Sequence, residues 1–339
     1  MAAGYNVAIV GATGLVGATT LAILEERQFP VDKLFLLASE RSVGEVREFN
    51  GKPLIVEDVA QFDFSQTQIC FFSAGNAAAA EYAQKAADAG NFVIDKSSHF
   101  RYDDEIPLII PEINFDVLAK YKNKNIIASP NCSTTPVVMA LKPIDDAVGI
   151  TRVNVATYQS VSGSGKEGIT ELAEQTGLLL NGRPAKHKAY TQQIAFNIIP
   201  NIDEMQDNGY TREEMKLVWE IQKILGNKDI AINPTAVRVP VFYGHSAAVH
   251  IETKKKITAE KASALLAKTP GIKLATQKHP DPSPVRDAAG KDLVYVGRVR
   301  EDISTPNGLN LWAVTDNLRK GAALNAVQIA EHLIKEYIK

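Results

Sequence analysis

The chain has 339 residues, 45% of them hydrophobic and 22% charged, an ordinary globular balance and enough length for two domains of roughly 150 residues each. Its 37 Lys plus Arg face 39 Asp plus Glu, a net charge of -2, so nothing points to nucleic acid or an anionic membrane as a partner. The N-terminus lacks a signal peptide's basic and apolar regions, and no apolar run reaches the roughly 18 residues of a membrane span. Two cysteines, Cys70 and Cys132, make neither a disulfide framework nor a metal cluster, so a reducing, cytoplasmic setting without a metal is expected. Asn131-Cys-Ser133 fits the glycosylation pattern only by chance in such a setting.

Tyr5 to Val10 reads as a short strand that empties into Gly11-Ala-Thr-Gly-Leu-Val-Gly17, with a helix from about Val16 to Arg27. Each glycine has a physical job: Gly11 for the tight turn, Gly14 for approach of a pyrophosphate, Gly17 for helix-on-strand packing. The phosphates would rest on the helix N-terminus. The position between the first strand and first helix is what makes this turn a dinucleotide signature. A second strand, Lys33 to Ala38, ends at Ser39-Glu40-Arg41-Ser42, where such a unit reads the adenosine ribose. Glu40 would accept from a free 2′-hydroxyl and imply NAD. Arg41, flanked by Ser39 and Ser42, would hold a 2′-phosphate and imply NADP, the reading that guanidinium geometry favours.

A strand at Gln68 to Phe72, an alanine-rich helix from Asn76 to Ala89 and a strand at Asn91 to Asp95 follow. Alternating strands and helices predict a parallel doubly wound sheet. Cys70, inside Ile69-Cys-Phe-Phe72, reads as core. Lys96-Ser-Ser-His-Phe-Arg101 follows a strand end, which makes Arg101 a candidate anion binder. His99 is an acid or base candidate by position alone, and a structural role is the commoner one.

Asn125 to Ala128 reads as a buried strand, Ser129-Pro-Asn131 as a turn, and Ser133 to about Val148 as a helix with Pro136 in its first turn. Cys132 sits on that strand-to-helix turn, among backbone N–H groups expected to be unpaired and at the positive end of the helix dipole. There a thiolate is stabilised. The competing reading is a buried cysteine acting as a small apolar residue.

Thr151 to Val161 reads as a strand ending in Gln159-Ser-Val-Ser-Gly-Ser-Gly165. Gly165-Lys166 has the outline of a P-loop, but Glu167 replaces the required Ser/Thr and Ser160 the first glycine. A helix at about Glu167 to Leu180 precedes a polar excursion from Asn181 to Gly209. Thr211-Arg-Glu-Glu214 is a capping pattern for a helix to Leu225, on which Glu213 and Lys216 share a face. That pair is either functional or a surface ion pair of small value. Ala236 to Tyr243 reads as a strand containing Arg238, and Ala247 to Thr253 as another, with Gly244-His245-Ser246 between them. His245, expected to be exposed to a cleft, is the best of the six histidines as partner to a catalytic thiol. A C-terminal helix from Gly321 to Tyr337 is expected to pack back onto the first domain and bring Thr315-Asp-Asn317 near the cofactor.

Gly11-Ala-Thr-Gly-Leu-Val-Gly17, Ser129-Pro-Asn-Cys-Ser-Thr134, Arg238-Val-Pro-Val and Gly244-His-Ser246 together resemble the aspartate-β-semialdehyde dehydrogenases over essentially the whole chain. The resemblance implies an α/β fold: an N-terminal Rossmann-type doubly wound parallel sheet, residues 1–130 with 318–339 packing back, plus an α+β catalytic and dimerisation domain with a mixed sheet, residues 131–317. It implies that Cys132 is the nucleophile, His245 the acid–base, Gln159 a substrate contact and Arg238 the clamp on the substrate α-carboxylate. Glu213 would meet the α-amino group, while Arg101, Lys216 and Asn131 would hold phosphate. The cofactor contacts it implies are Thr13, Gly14, Leu15, Val16, Arg41, Ser42, Ser162, Gly163 and Asn317. Ser39-x-Arg41-Ser42 looks like the NADP-using branch. The implied activity is reversible NADP-dependent reductive dephosphorylation of 4-phospho-L-aspartate to L-aspartate 4-semialdehyde through a thioacyl enzyme, in lysine, threonine and methionine biosynthesis, by a homodimer. The N-acetyl-γ-glutamyl-phosphate reductases share the logic, but typically carry Pro-Gly-Cys-Tyr where this chain has Pro130-Asn-Cys-Ser133. A non-catalytic NADP-binding paralogue would not need Cys132, Gln159, Arg238 and His245 together.

Overall fold

The computed structural model describes residues 4–337. They form two compact units, one from the chain up to Pro130 and from Ala322 onward, the other Asn131–Gly321. The first unit is built on seven strands: β1 (Tyr5–Val10), β2 (Val31–Ala38), β3 (Val46–Phe49), β4 (Lys52–Asp58), β5 (Ile69–Phe72), β6 (Phe92–Asp95) and β7 (Ile126–Ala128). Their order is β3-β4-β2-β1-β5-β6-β7, and every neighbouring pair is parallel except β3–β4.

That order reverses between β1 and β5, and such a reversal opens a crevice at the carboxyl ends of the strands. The helix Leu15–Glu26 leaves β1 there. The alanine-rich helix after β5 is interrupted by a π-helical turn over Ala79–Ala83. The sequence reading lacks the β3–β4 hairpin. Its turn is Asn50-Gly51, both with positive φ (50° and 71°), as a two-residue turn matched to strand twist requires. The C-terminal helix Leu324–Glu336 buries Leu324, Val327, Ala330 and Leu333 in the same core as Ile23 and Leu24. Each large side chain so buried stabilises by roughly 1.5–3 kcal/mol. The bidentate Arg27–Glu331 pair at 2.6 and 2.7 Å is partly exposed and adds little by comparison.

The second unit carries β8 (Ile150–Gln159), β9 (Ala231–Arg238), β10 (His245–Thr253), β11 (Ile272–Leu274), β12 (Val294–Glu301) and β13 (Gly308–Thr315) in the order β11-β12-β13-β10-β8-β9. The sheet is mixed: β8–β9 and β11–β12 are parallel, the other pairs antiparallel. Helices Thr134–Val148, Arg212–Leu225 and Ala259–Lys268 pack on it. Side chains alternate across strands, so Val153, Val155, Thr157 and Gln159 are buried while Asn154, Ala156 and Tyr158 are only half-buried.

One sequence expectation is corrected here. The strand expected at Ala236 to Tyr243 runs instead from Ala231 to Arg238. Asn233-Pro234 does not break it, because β9 is an edge strand and an edge tolerates a missing donor. Beyond Arg238 the chain turns alongside 159–162, with Val239 N–H donating to Gln159 C=O (3.0 Å) and Val161 N–H to Val241 C=O (2.9 Å). The 181–209 excursion has an ordered course. Glu171 accepts from Lys188 and Ala189 N–H, and Gln175 from Ile194 and Ala195 N–H. Ile199 then exchanges both backbone hydrogen bonds with Arg238, at 2.9 and 3.0 Å.

Candidate active site

In the first unit the glycine turn fits a dinucleotide. A Cβ on Gly11 would lie 2.8 Å from the Ser73 backbone, and one on Gly17 would lie 2.1 Å from the Gly11 carbonyl oxygen, so neither position admits a side chain. At Gly14 the nearest atom is 3.4 Å away, which leaves the turn open on that side. No side chain caps the following helix and its first turn holds no acid; Leu15 and Val16 lie in that turn. A helix N-terminus in this state favours an anion. After β2, Glu40–Ser42 form a short 3-10 turn. Ser39, Glu40 and Arg41 are exposed, and Arg41 has no ion-pair partner among the described residues. Ser42 lies 3.4 Å from the Thr13 hydroxyl, which ties the ribose end of the turn to the phosphate end.

In the second unit one end of the sheet gathers the reactive residues. Gln159 pairs with Arg238 across β8–β9 and His245 with Thr315 across β10–β13, so three side chains end adjacent strands at the same edge. All three are buried, at 1%, 5% and 1% exposure for Gln159, Arg238 and His245. His245 is therefore enclosed, where the sequence reading expects it exposed to a cleft. A side chain at a strand terminus is still covered by the segment that follows a neighbouring strand, here 160–163. Arg238 spends one N–H on the Ser160 carbonyl (2.8 Å).

Cys132 is half-buried just before helix Thr134–Val148. The turn differs from expectation in one respect. The Asn131 amide oxygen accepts from Ser133 N–H (2.8 Å), and the Asn131 carbonyl accepts from Thr134 and Thr135 N–H (3.1 Å each), while Pro136 has no N–H. The first-turn donors are thus already paired. What remains for a thiolate is the dipole of a 15-residue helix. Asn131 is itself fixed by its N–H to Glu220 (2.7 Å), a fully buried carboxylate that sequence reasoning missed.

Glu213 is the charged hub. One carboxylate oxygen accepts from the Gln159 amide (3.0 Å), the other from Lys216 Nζ (2.9 Å) and, at longer range, Asn131 Nδ2 (3.4 Å). Asp203, delivered by the excursion, holds Lys216 from the other side (2.7 Å). Burial by itself would raise the Glu213 acid. The Lys216 charge and hydrogen bond, the Gln159 amide and the Arg238 charge outweigh burial and hold it at about 2. Lys216 is held above its ordinary value despite its burial, by Glu213 and Asp203. A depressed acid binds its proton more readily in the unfolded chain, so its stabilisation is complete above the ordinary 4.5 and lost as pH falls toward about 2. In urea unfolding, wild type is expected to exceed Glu213→Gln in stability at pH 7, with the gap closing near pH 3. A gap that widens on acidification would contradict the assignment.

Around His245 the contacts are specific. Its Nδ1 lies 3.1 Å from both the Ser160 backbone N–H and the Ser160 hydroxyl. Asn317 Oδ1 accepts from the Ser160 hydroxyl (3.1 Å), the Ser162 hydroxyl (3.0 Å) and Gly244 N–H (2.9 Å). Burial, then the Arg238 charge, push the imidazole down to about 3, so it is neutral at neutral pH. A Cβ on Gly163 would lie 2.9 Å from Arg238 Nη1 and 3.3 Å from His245 Nε2; the bare glycine leaves a small space that both groups face. Gly163→Ala is expected to lower activity more than about tenfold while leaving the melting temperature within a few degrees. Unchanged turnover would show that the space is not used.

A family model described as semialdehyde dehydrogenase, NAD binding domain, matches residues 6–121, and one described as semialdehyde dehydrogenase, dimerisation domain, matches residues 141–320. Aspartate-semialdehyde dehydrogenase 2 of Vibrio cholerae is 60% identical over 98% of both chains. The chain belongs to the aspartate-semialdehyde dehydrogenase family. The crystal structure of the Vibrio cholerae enzyme complexed with ASA superposes with a TM-score of 0.96, covering 98% of this chain and 99% of that one. A probable aspartate-semialdehyde dehydrogenase from Pseudomonas aeruginosa, 37% identical over 98% and 99% of the two chains, gives 0.94. Membership makes the protein an oxidoreductase that takes a nicotinamide cofactor, and its fold is the α/β architecture expected of the sequence.

Of the residues the aspartate-semialdehyde dehydrogenase resemblance implies, Asn131, Gln159, Ser162, Gly163, Glu213, Lys216, Arg238, His245 and Asn317 form one connected set within the second unit, next to Cys132 in the chain. Arg101 belongs to the first unit, where it is buried and donates to the carbonyls of Ser129 (3.0 Å) and Lys96 (2.7 Å). His99 is exposed with its ring edge-on to Phe100 at 4.5 Å. Cys70 is core, its thiol pushed up to about 12 by burial. Asp203, Glu220 and Ser160 are additions from the structure. Only Ser160 had a signal in sequence, as the residue after Gln159. No helix of the described residues is long and apolar enough to cross a membrane.

Proposed function

We propose that this protein interconverts 4-phospho-L-aspartate and L-aspartate 4-semialdehyde with NADP and phosphate, in the cytoplasm and as a homodimer. The observation that carries the reading is the pairing of two opposite buried charges at one sheet edge. Arg238, which gives one N–H to Ser160 and has four others free of hydrogen bonds among the described residues, suits an α-carboxylate. Glu213, whose two oxygens offer about four acceptor positions, keeps capacity for an α-ammonium beside Gln159. Such a pair selects a free amino acid over an N-acylated one.

Cys132 attacks the acyl carbon, and the acyl–oxygen bond breaks with its electron pair on phosphate. Lys216, with one N–H beyond those given to Glu213 and Asp203 among the described residues, meets the departing phosphate together with Asn131. The nicotinamide, when bound, supplies the hydride that reduces the thioester. His245 manages charge at the acyl oxygen while the tetrahedral species collapses and returns the thiolate. Arg41 with Ser39 and Ser42 would hold the 2′-phosphate, and its exposed guanidinium, unpaired among the described residues, supports NADP over NAD. Ser162, Gly163 and Asn317 are proposed to border the nicotinamide end. The sheet face carrying Asn154, Tyr158, Asn233 and His250, half-buried or exposed, is the proposed dimer contact.

The test is a phosphate-dependent assay with aspartate semialdehyde and either NADP or NAD. Reduction of NADP at a kcat/KM at least about tenfold above NAD is expected, and Arg41→Ala should erase that preference. Equal use of both cofactors would refute the Arg41 reading, and no turnover of aspartate semialdehyde would refute the function.

A further inference from the structure

We propose that Gly321 is a positioning residue for the nucleophile: the side chain it lacks lets a helical turn lie directly against Cys132 and fix where the thiol stands. The inference rests on the proposed role of Cys132 and concerns the geometry of its attack.

Gly321 is buried in the π-helical turn Arg319–Ala323. Its φ is not positive, so the backbone there would accept any L residue. Glycine is also the poorest helix former after proline. Neither conformation nor propensity accounts for it, which leaves space. A Cβ at this position would lie 3.1 Å from Cys132 Cβ, and 3.3 Å from the carbonyl oxygens of Cys132 and Asp316. Carbon atoms in ordinary contact stand about 3.5–4.0 Å apart, so an added methyl overlaps the nucleophile by roughly half an ångström.

What the methyl meets is a carbon one bond from the backbone, and both walls are tied down. On one side Asn131 N–H donates to Glu220 (2.7 Å), and Asn131 accepts from Ser133, Thr134 and Thr135 N–H. On the other, Asp316 Oδ1 accepts from Leu318 and Arg319 N–H (2.8 and 3.1 Å). Its Oδ2 accepts from Gly290 N–H (2.7 Å) and its carbonyl from Gly321 N–H (3.0 Å). Relief therefore falls on the Cys132 side chain. The sulfur moves, while Arg238 and Glu213 go on holding the two charged groups of the substrate. A misplacement of about 1 Å costs about 100-fold in a positioned reaction, so roughly half of that costs about tenfold.

The test is Gly321→Ala beside wild type in the phosphate-dependent assay. Its kcat is expected to fall about 10- to 100-fold, with KM for aspartate semialdehyde within about threefold. Alkylation of Cys132 by iodoacetamide, followed by mass spectrometry from about pH 6 to 9, should keep its wild-type rate and pH midpoint. A free reagent can meet a displaced sulfur, whereas an anchored substrate cannot. Unchanged kcat, or a loss carried by KM, would overturn the proposal. So would a joint fall of turnover and alkylation, because the supply of thiolate and not its place would then be at fault. If Gly321→Ala does not fold, combining it with Cys132→Gly removes the opposing Cβ and should restore folding; failure to do so would also overturn the proposal. The proposed reaction fails separately, by absence of aspartate semialdehyde turnover in wild type.

Discussion

Cys132→Ala is expected to lower kcat by at least about 10,000-fold in the phosphate-dependent assay, the scale seen when a covalent nucleophile is removed. No other group on the connected set can replace it. The remaining thiol, Cys70, lies in the first unit's core against Asn91 and Thr67, and burial keeps it protonated. Nor should the fold suffer. Cys132 is only half-buried, and the turn around it is held by Asn131, Glu220 and the Ser133, Thr134 and Thr135 donors. Unaltered thermal unfolding together with lost turnover is therefore the expected pair of results. Retained turnover would end the thioacyl mechanism, and joint loss of turnover and stability would mean that the thiol is structural.

His245→Ala should cost about 100- to 10,000-fold in kcat, the usual consequence of deleting a positioned acid–base. KM should change less, because Arg238 and Glu213 still hold the two charged groups of the amino acid. The residual rate comes from binding and from the thiol itself. A loss below about tenfold would return His245 to a structural role. Stability should respond modestly: the substitution leaves a cavity, but it also removes a buried ring nitrogen that has no hydrogen-bond partner among the described residues, and the two effects oppose one another.

The asymmetry between the two units shows which features are legible in a linear chain. The glycine turn was legible because its spacing is local, and Gly17 is excluded from bearing a side chain by the Gly11 carbonyl six residues earlier; only the Ser73 backbone that crowds Gly11 comes from afar. The Asn50-Gly51 hairpin was just as local and could have been read from the same kind of signal. The end of β9 was not, since whether Pro234 breaks a strand depends on which neighbour it has, and only the sheet order makes β9 an edge.

By itself the sequence determined the two-part α/β plan, the nicotinamide turn and the identities of the reactive side chains, all of which depend on short-range pattern or residue chemistry. Tertiary structure alone decided their electrical and protonic states. Glu213 and Lys216 stand three apart on one helix in either view, but Asp203, Gln159 and Asn131, brought from three other segments, turn a surface-type pair into a buried hub whose acid stays ionised. His245 was a candidate by position, yet its neutrality follows from burial and from the charge of Arg238, two strands away in the sheet. A protonation state is a property of surroundings, and surroundings exist only once the chain has folded.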